Sequence, residues 1–163
     1  MPYCLNEWGK LDKDIQNSVS ISMFKSSLLR FIRPTCRPIY NIHDPVGLKL
    51  LTRLRLGLSH LKEHKFRHNF QDTINPLCAC DLEVEDTNHF LLRCHFFSLY
   101  RRELYDKLDI IHADITNLGP NELTRVLLFG YEKFDLKVNS LILQETISYI
   151  NNTKRFDDKL IHI

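Results

Sequence analysis

The stretch Leu77-Cys78-Ala79-Cys80-Asp81-Leu82-Glu83-Val84-Glu85-Asp86-Thr87-Asn88-His89-Phe90-Leu91-Leu92-Arg93-Cys94 carries three of the chain's five cysteines and one histidine. Their order is Cys-x-Cys, eight residues, His, four residues, Cys. Thiolate sulfur and neutral imidazole are the ligands zinc prefers, and four of them close a tetrahedron. Cys78, Cys80, His89 and Cys94 therefore form a complete structural set for one Zn2+. A hydrolytic zinc needs an open coordination position, and this set leaves none, so the expected metal holds shape instead of doing chemistry.

The spacing has a physical reading. One residue separates Cys78 from Cys80, which in an extended strand puts both sulfurs on one face. His89 and Cys94 are five apart, about 500° around an ideal helix and so about 140° apart in azimuth. They cannot share an ion from the middle of a regular helix. The expected resolution places His89 in a first turn capped by Asp86 or Thr87, with Cys94 where that turn ends or bends. Three buried thiols and a satisfied histidine would show the same spacing, and His95 beside Cys94 is a rival fourth ligand.

Working outward, the residues before the cluster are basic. From residue 49 to 68, Lys49, Arg53, Arg55, Lys62, Lys65 and Arg67 stand against Glu63 alone, a local excess of five in a chain whose net charge is only +2. His60, His64 and His68 lie among them. Asp81, Glu83, Glu85 and Asp86 then fill the loop between the second and third candidate ligands. This polarity suggests a binding face, with Arg53, Arg55, Lys62, Lys65 and Arg67 as candidate phosphate contacts; a solvated helix pair is the plainer alternative.

Punctuation divides the chain. Asp44-Pro45 is a strong helix start, Gly57 a left-handed stop and Ser59 a second cap, predicting helices to about residue 56 and over 61–68 with Leu50, Leu51, Leu54, Leu58 and Leu61 inward. After the cluster, Phe97, Tyr100, Leu104, Leu108 and Ile111 repeat at helical spacing. Gly119-Pro120 breaks that helix, and Asn121 caps another with Leu123, Val126 and Leu127 inside. Asp135 caps a last long helix with Val138, Leu141, Ile142, Glu145 and Tyr149 along one side and Ile147 and Ile150 widening the apolar face, ending near Asn151-Asn152 before a loose tail. Upstream lie an irregular arm, a helix with Phe24, Leu28 and Phe31 on one stripe, and a proline-containing linker with Arg33 and Arg37. Three segments follow: 1–43, arm, helix and linker; 44–112, basic helix pair and metal module; 113–163, C-terminal helices and tail.

Composition agrees. Apolar residues at 44% and charged residues at 26% are ordinary for a globular protein, and five glycines and six prolines leave helices uninterrupted. The predicted class is mainly α, a small helical domain with a zinc-stapled Cys-x-Cys/His/Cys loop. An odd cysteine count and no charged-then-apolar leader predict an intracellular protein without a disulfide framework, and no apolar run reaches membrane-spanning length.

The succession Leu51-Thr52-Arg53-Leu54-Arg55-Leu56-Gly57-Leu58-Ser59-His60, then Pro76-Leu77-Cys78-Ala79-Cys80, then Thr87-Asn88-His89-Phe90-Leu91-Leu92-Arg93-Cys94 resembles the zinc-binding region at the C-terminus of reverse transcriptases from non-LTR (LINE-type, jockey-like) retrotransposons. Residues 6–12 and 20–25 resemble the segment leading into that region, and Leu127-Leu128-Phe129-Gly130 with Lys154-Arg155-Phe156-Asp157 resembles its tail. The resemblance implies that Arg53 and Arg55 belong to the family's basic helix and that Cys78, Cys80, His89 and Cys94 are its ligands. It also implies RNA or DNA, and the polymerase domain of the same element, as partners. The family usually has glycine after the second cysteine, where this chain has Asp81. No Tyr-x-Asp-Asp pattern occurs, and Asp157-Asp158 falls in a tail, so no polymerase activity is expected. The alternatives are a zinc-stapled protein-interaction domain and a decayed reading frame.

Overall fold

The structure, a computed structural model, describes residues 42–111, 113, 115 and 117–157. The expected N-terminal arm, the helix carrying Phe24, Leu28 and Phe31, the linker up to residue 41 and the last six residues of the tail lie outside them; Ile42, at the linker's end, is buried in the core.

Helix α1, Pro45–Leu56, begins as its sequence dictates. The Asp44 carboxylate accepts the Gly47 N–H at 2.8 Å, and Pro45 occupies a first-turn position where a missing N–H costs nothing. Gly57 ends it at φ 65, returning its N–H to the Leu54 carbonyl. Helix α2, Lys62–Arg67, follows, but its cap is not Ser59. The Ser59 hydroxyl lies 2.7 Å from Nδ1 of buried His64, and the Glu85 carboxylate, from the loop over residues 77–94 that carries the candidate ligands (the metal loop), accepts the Lys62 N–H at 2.8 Å.

Helix α3 is Ser98–Ile110, with Leu104 and Leu108 buried. Helix α4 is Pro120–Phe129, and here the boundary differs from expectation. Gly119 takes the capping position because Pro120 fills the first turn, so Asn121 is already helical. Its side chain instead accepts from Asn88 of the metal loop at 2.8 Å. Helix α5, Leu136–Asn152, is capped by Asp135, whose carboxylate accepts the Val138 N–H at 2.7 Å.

Helix α5 is the centre, touching α1, α3 and α4. Ile142, Ile147, Tyr149 and Ile150 are buried as expected, and Leu143 and Thr146 extend the buried face further around the helix, while Val138, Leu141 and Glu145 are only half-buried. The Thr146 hydroxyl donates to the Ile142 carbonyl at 2.8 Å, which makes its burial tolerable. Gly47 allows the close approach of α1 to α5, since a Cβ there would overlap the Ile147 methyl and the Asp44 carboxylate. One core joins Leu51 and Leu54 of α1, Leu61, Phe90 and Leu91 of the metal loop, and the buried faces of α3, α4 and α5. Leu58 was expected inside and is 51% exposed, because the left-handed turn at Gly57 swings it outward.

The fold is mainly helical; among the described residues, pairing between extended segments is limited to one antiparallel bridge, Leu77 with Val84. No described helix is long and apolar enough to cross a membrane.

Candidate metal centre

The metal loop is made of two short pieces that face each other. The first is a turn. The Leu77–Val84 bridge closes its base, Cys78 N–H donates to the Glu83 carbonyl at 2.9 Å, and Asp81 N–H returns to the Cys78 carbonyl at 3.0 Å. Cys78 and Cys80 thus reach one point from a tight turn, not from the extended strand their spacing suggested. The chain passes this corner with Asp81 at φ 58, a left-handed conformation in which glycine is unstrained and Asp is among the better-tolerated residues.

The second piece solves the His89 and Cys94 azimuth. Asp86 accepts the His89 N–H at 2.6 Å, as one of the two expected caps, and residues His89–Arg93 form a π-helical turn. Cys94 N–H reaches back five residues to the His89 carbonyl at 2.8 Å instead of four residues to Phe90. That widening brings positions 89 and 94 toward the same side of the turn. It also strands the Phe90 carbonyl, which accepts the Tyr149 hydroxyl of α5 at 2.6 Å. Burial pushes the Tyr149 phenol well above its usual range, so it remains a donor.

The ligand atoms of Cys78, Cys80, His89 and Cys94 all lie within 4.8 Å of one another, and all four residues are buried. Cys78 Sγ is 3.8 Å from Cys94 Sγ, and Cys80 Sγ is 3.3 Å from His89 Nε2. These four could hold a metal ion. The chain matches no family model, no curated protein and no solved structure. The case for the site rests on its chemistry.

That chemistry is consistent. Burial pushes the Cys78 thiol up to about 12 and raises Cys94 as well, so a metal must displace their protons. Burial acts the same way on Cys80, but the backbone N–H groups of Leu82 and Glu83, with the neighbouring thiols, outweigh it and lower that group. Backbone N–H groups of Cys80 and Phe96 likewise favour the charged forms of Cys78 and Cys94. With Nε2 facing the sulfurs, His89 Nδ1 is buried without a well-aligned hydrogen-bond partner, and the Glu83 carboxylate lies 3.4 Å from it. The Arg93 guanidinium, 2.6 Å away, holds Glu83 below the usual carboxylate range. A carboxylate behind the outer nitrogen of a ligating histidine is a common support for metal binding. His95 is exposed and lies outside the cluster, which removes the rival ligand.

The basic residues divide into two groups. The Nε of Arg55 donates to the Leu128 carbonyl at 2.6 Å and its guanidinium lies over the Phe129 ring, tying α1 to α4. Arg67 pairs with Glu63 at 2.8 Å, and Lys65 pairs with Asp72. Among the described residues, Lys49, Arg53 and Lys62 have no carboxylate within ion-pair distance.

Glu85 and Arg155, far apart in the sequence, pair to fasten this site to the fold. Glu85, 3% exposed, receives both Arg155 Nε at 2.6 Å and Arg155 Nη2 at 2.7 Å, and the same guanidinium donates to the His60 carbonyl at 3.1 Å. The tail through residue 157 is therefore fastened, contrary to expectation. Phe90 meets Phe97, Tyr149 and Phe156 at centroid distances of 5.3, 5.5 and 5.3 Å. The local signal for Glu85 was only its place in an acidic run; its partner lies 70 residues away.

Proposed function

We propose that this chain is a zinc-stapled, non-catalytic nucleic-acid-binding module of the kind found at the C-terminus of non-LTR retrotransposon reverse transcriptases. Zinc is favoured by the donor set and the spacings. A tetrahedron with bonds of about 2.3 Å to sulfur and about 2.0 Å to nitrogen spaces two sulfurs by about 3.8 Å and a sulfur and nitrogen by about 3.5 Å. The Cys78–Cys94 and Cys80–His89 separations are 3.8 and 3.3 Å, and all four ligand atoms lie within 4.8 Å of one another.

The observation that supports the nucleic-acid reading is the contact between the loop that carries the cluster and α2: Glu85 accepts the Lys62 N–H at 2.8 Å, so an ion in the cluster would hold that loop against a basic helix. Three thiolates on a divalent ion leave about −1, so the centre itself repels phosphate. The attraction falls to Lys49, Arg53 and Lys62, with Lys65 and Arg67 weakened by their carboxylate partners and Arg55 engaged inside. The metal has no open position and the role is to bind and orient a strand for a separate polymerase domain of the same element.

Anisotropy titrations against RNA and DNA at increasing salt test the reading. With about three phosphates neutralised, log affinity falls against log salt with a slope of about −2 to −3. A slope near zero, or binding only to protein partners, refutes it.

A further inference from the structure

We infer that the concavity between α1 and the C-terminal tail seats one backbone phosphate of a single nucleic-acid strand, held between Lys49 and Arg53. The inference rests on the nucleic-acid reading above and narrows it to one place. Lys49 and Arg53 are four residues apart on α1, hence neighbours on one face. Both line a cavity of about 190 Å3 whose apolar walls include Leu50, Ile150 and Phe156.

Four features favour an anion there. Neither cation is neutralised by a carboxylate among the described residues, whereas Lys65, Arg67, Lys107 and Arg155 all are. The carboxylate on the lining, Asp157, has a side chain 54% exposed and lies 3.8 Å from the Lys154 ammonium, so its opposing field is partly offset. Cations beside apolar walls focus their field into the concavity, where water screens less than on an open surface. An ammonium and a guanidinium fork together suit the oxygens of a phosphodiester.

Size favours a single strand. At about 190 Å3 the cavity is smaller than the usual site of a drug-sized ligand and suits a group of phosphate size. A flexible single strand can turn one phosphate into such a recess. The broad convex backbone of a duplex touches only its rim.

The recess also depends on the metal loop without using a metal ligand. Its outer wall, Phe156 and Asp157, follows Arg155, which is clamped by Glu85 and the His60 carbonyl. Loss of the ion loosens the loop that carries Glu85, and with it that wall.

The test uses the zinc-loaded full chain and fluorescein-labelled strands of about twelve nucleotides, as single-stranded RNA, single-stranded DNA and the matching duplexes. The Lys49→Gln/Arg53→Gln variant should lose about tenfold or more in affinity for single strands and about 1.4 of salt slope, whereas Lys107→Gln, a cation on α3 paired with Glu145, stays within about twofold. Lys49→Glu alone, at an exposed position, gives a second reading without touching the half-buried Arg53 and should weaken binding further than Lys49→Gln. If wild type binds while these Lys49 and Arg53 variants retain affinity and slope, the recess is not the site although the proposed function survives. Duplex bound more tightly than single strand overturns the strand assignment. If wild type binds none of the probes, the proposed function itself has failed.

Discussion

Glu85→Gln removes one charge from a buried pair while leaving a carbonyl oxygen to cap α2. Glu85 is 3% exposed and holds Arg155 through two contacts of 2.6 and 2.7 Å, so the substitution removes the opposing charge and one of the two acceptor oxygens facing the guanidinium. Breaking a buried ion pair from one side costs about 3–5 kcal/mol. The Arg155 side chain is still 21% exposed, and water reaches it, which places the loss near the lower end, about 3 kcal/mol. For a chain of this length that corresponds to a fall of roughly 6–12 °C in Tm, read by circular dichroism at saturating zinc. Arg155→Met should cost a similar amount, and the double variant should lose at least about 1.5 kcal/mol less than the sum of the two. Melting of Glu85→Gln within about 2 °C of wild type, or strict additivity with Arg155→Met, refutes the claim that this pair fastens the metal loop to the helices.

Metal binding should be steeply pH-dependent. Burial raises Cys78 and Cys94, so the metal-free protein keeps their protons at neutral pH and the ion must displace them; affinity, and the stability it confers, is present at higher pH and lost as pH falls. Calorimetry in buffers of different ionisation enthalpy should show about two to three protons released per ion, and proton-neutral uptake would contradict thiol ligation. Asp81→Gly should leave stability within about 0.5 kcal/mol of wild type, because relief at φ 58 is set against greater freedom of the unfolded chain. Asp81→Val should lose about 1–2 kcal/mol in urea melts, and a neutral result would dispute the left-handed corner. Gly47→Ala should destabilise by about 1–2 kcal/mol despite alanine's better helix propensity, since its methyl overlaps Ile147; a stabilised variant would mean that α1 and α5 are further apart.

What was legible in the sequence was local. Asp44-Pro45, Gly57 and Asp135 each announce a helix end through a hydrogen bond within four residues, and each does so in the structure. The meeting of Cys78, Cys80, His89 and Cys94 was legible too, because these residue types at these intervals suit one tetrahedral ion, and the structure brings them within 4.8 Å of one another. The failures have distant causes. Ser59 is a reasonable cap until His64 takes its hydroxyl and Glu85, 23 residues from Lys62, takes the helix end. The odd interval from His89 to Cys94 needed a π turn, and that turn is stabilised by Tyr149, 59 residues from the carbonyl it satisfies. Arg55 reads as a surface cation from its neighbours, yet its partner carbonyl is 73 residues away. Charge runs show where cations are, and only tertiary contacts show which of them are already occupied.

The account stands on one ion shared by Cys78, Cys80, His89 and Cys94, and X-ray absorption at the zinc edge of the purified chain tests it most directly. The predicted result is about one zinc per chain with three sulfurs at about 2.3 Å and one nitrogen at about 2.0 Å. A shell containing water oxygen, or a folded chain without a stoichiometric ion, would contradict it.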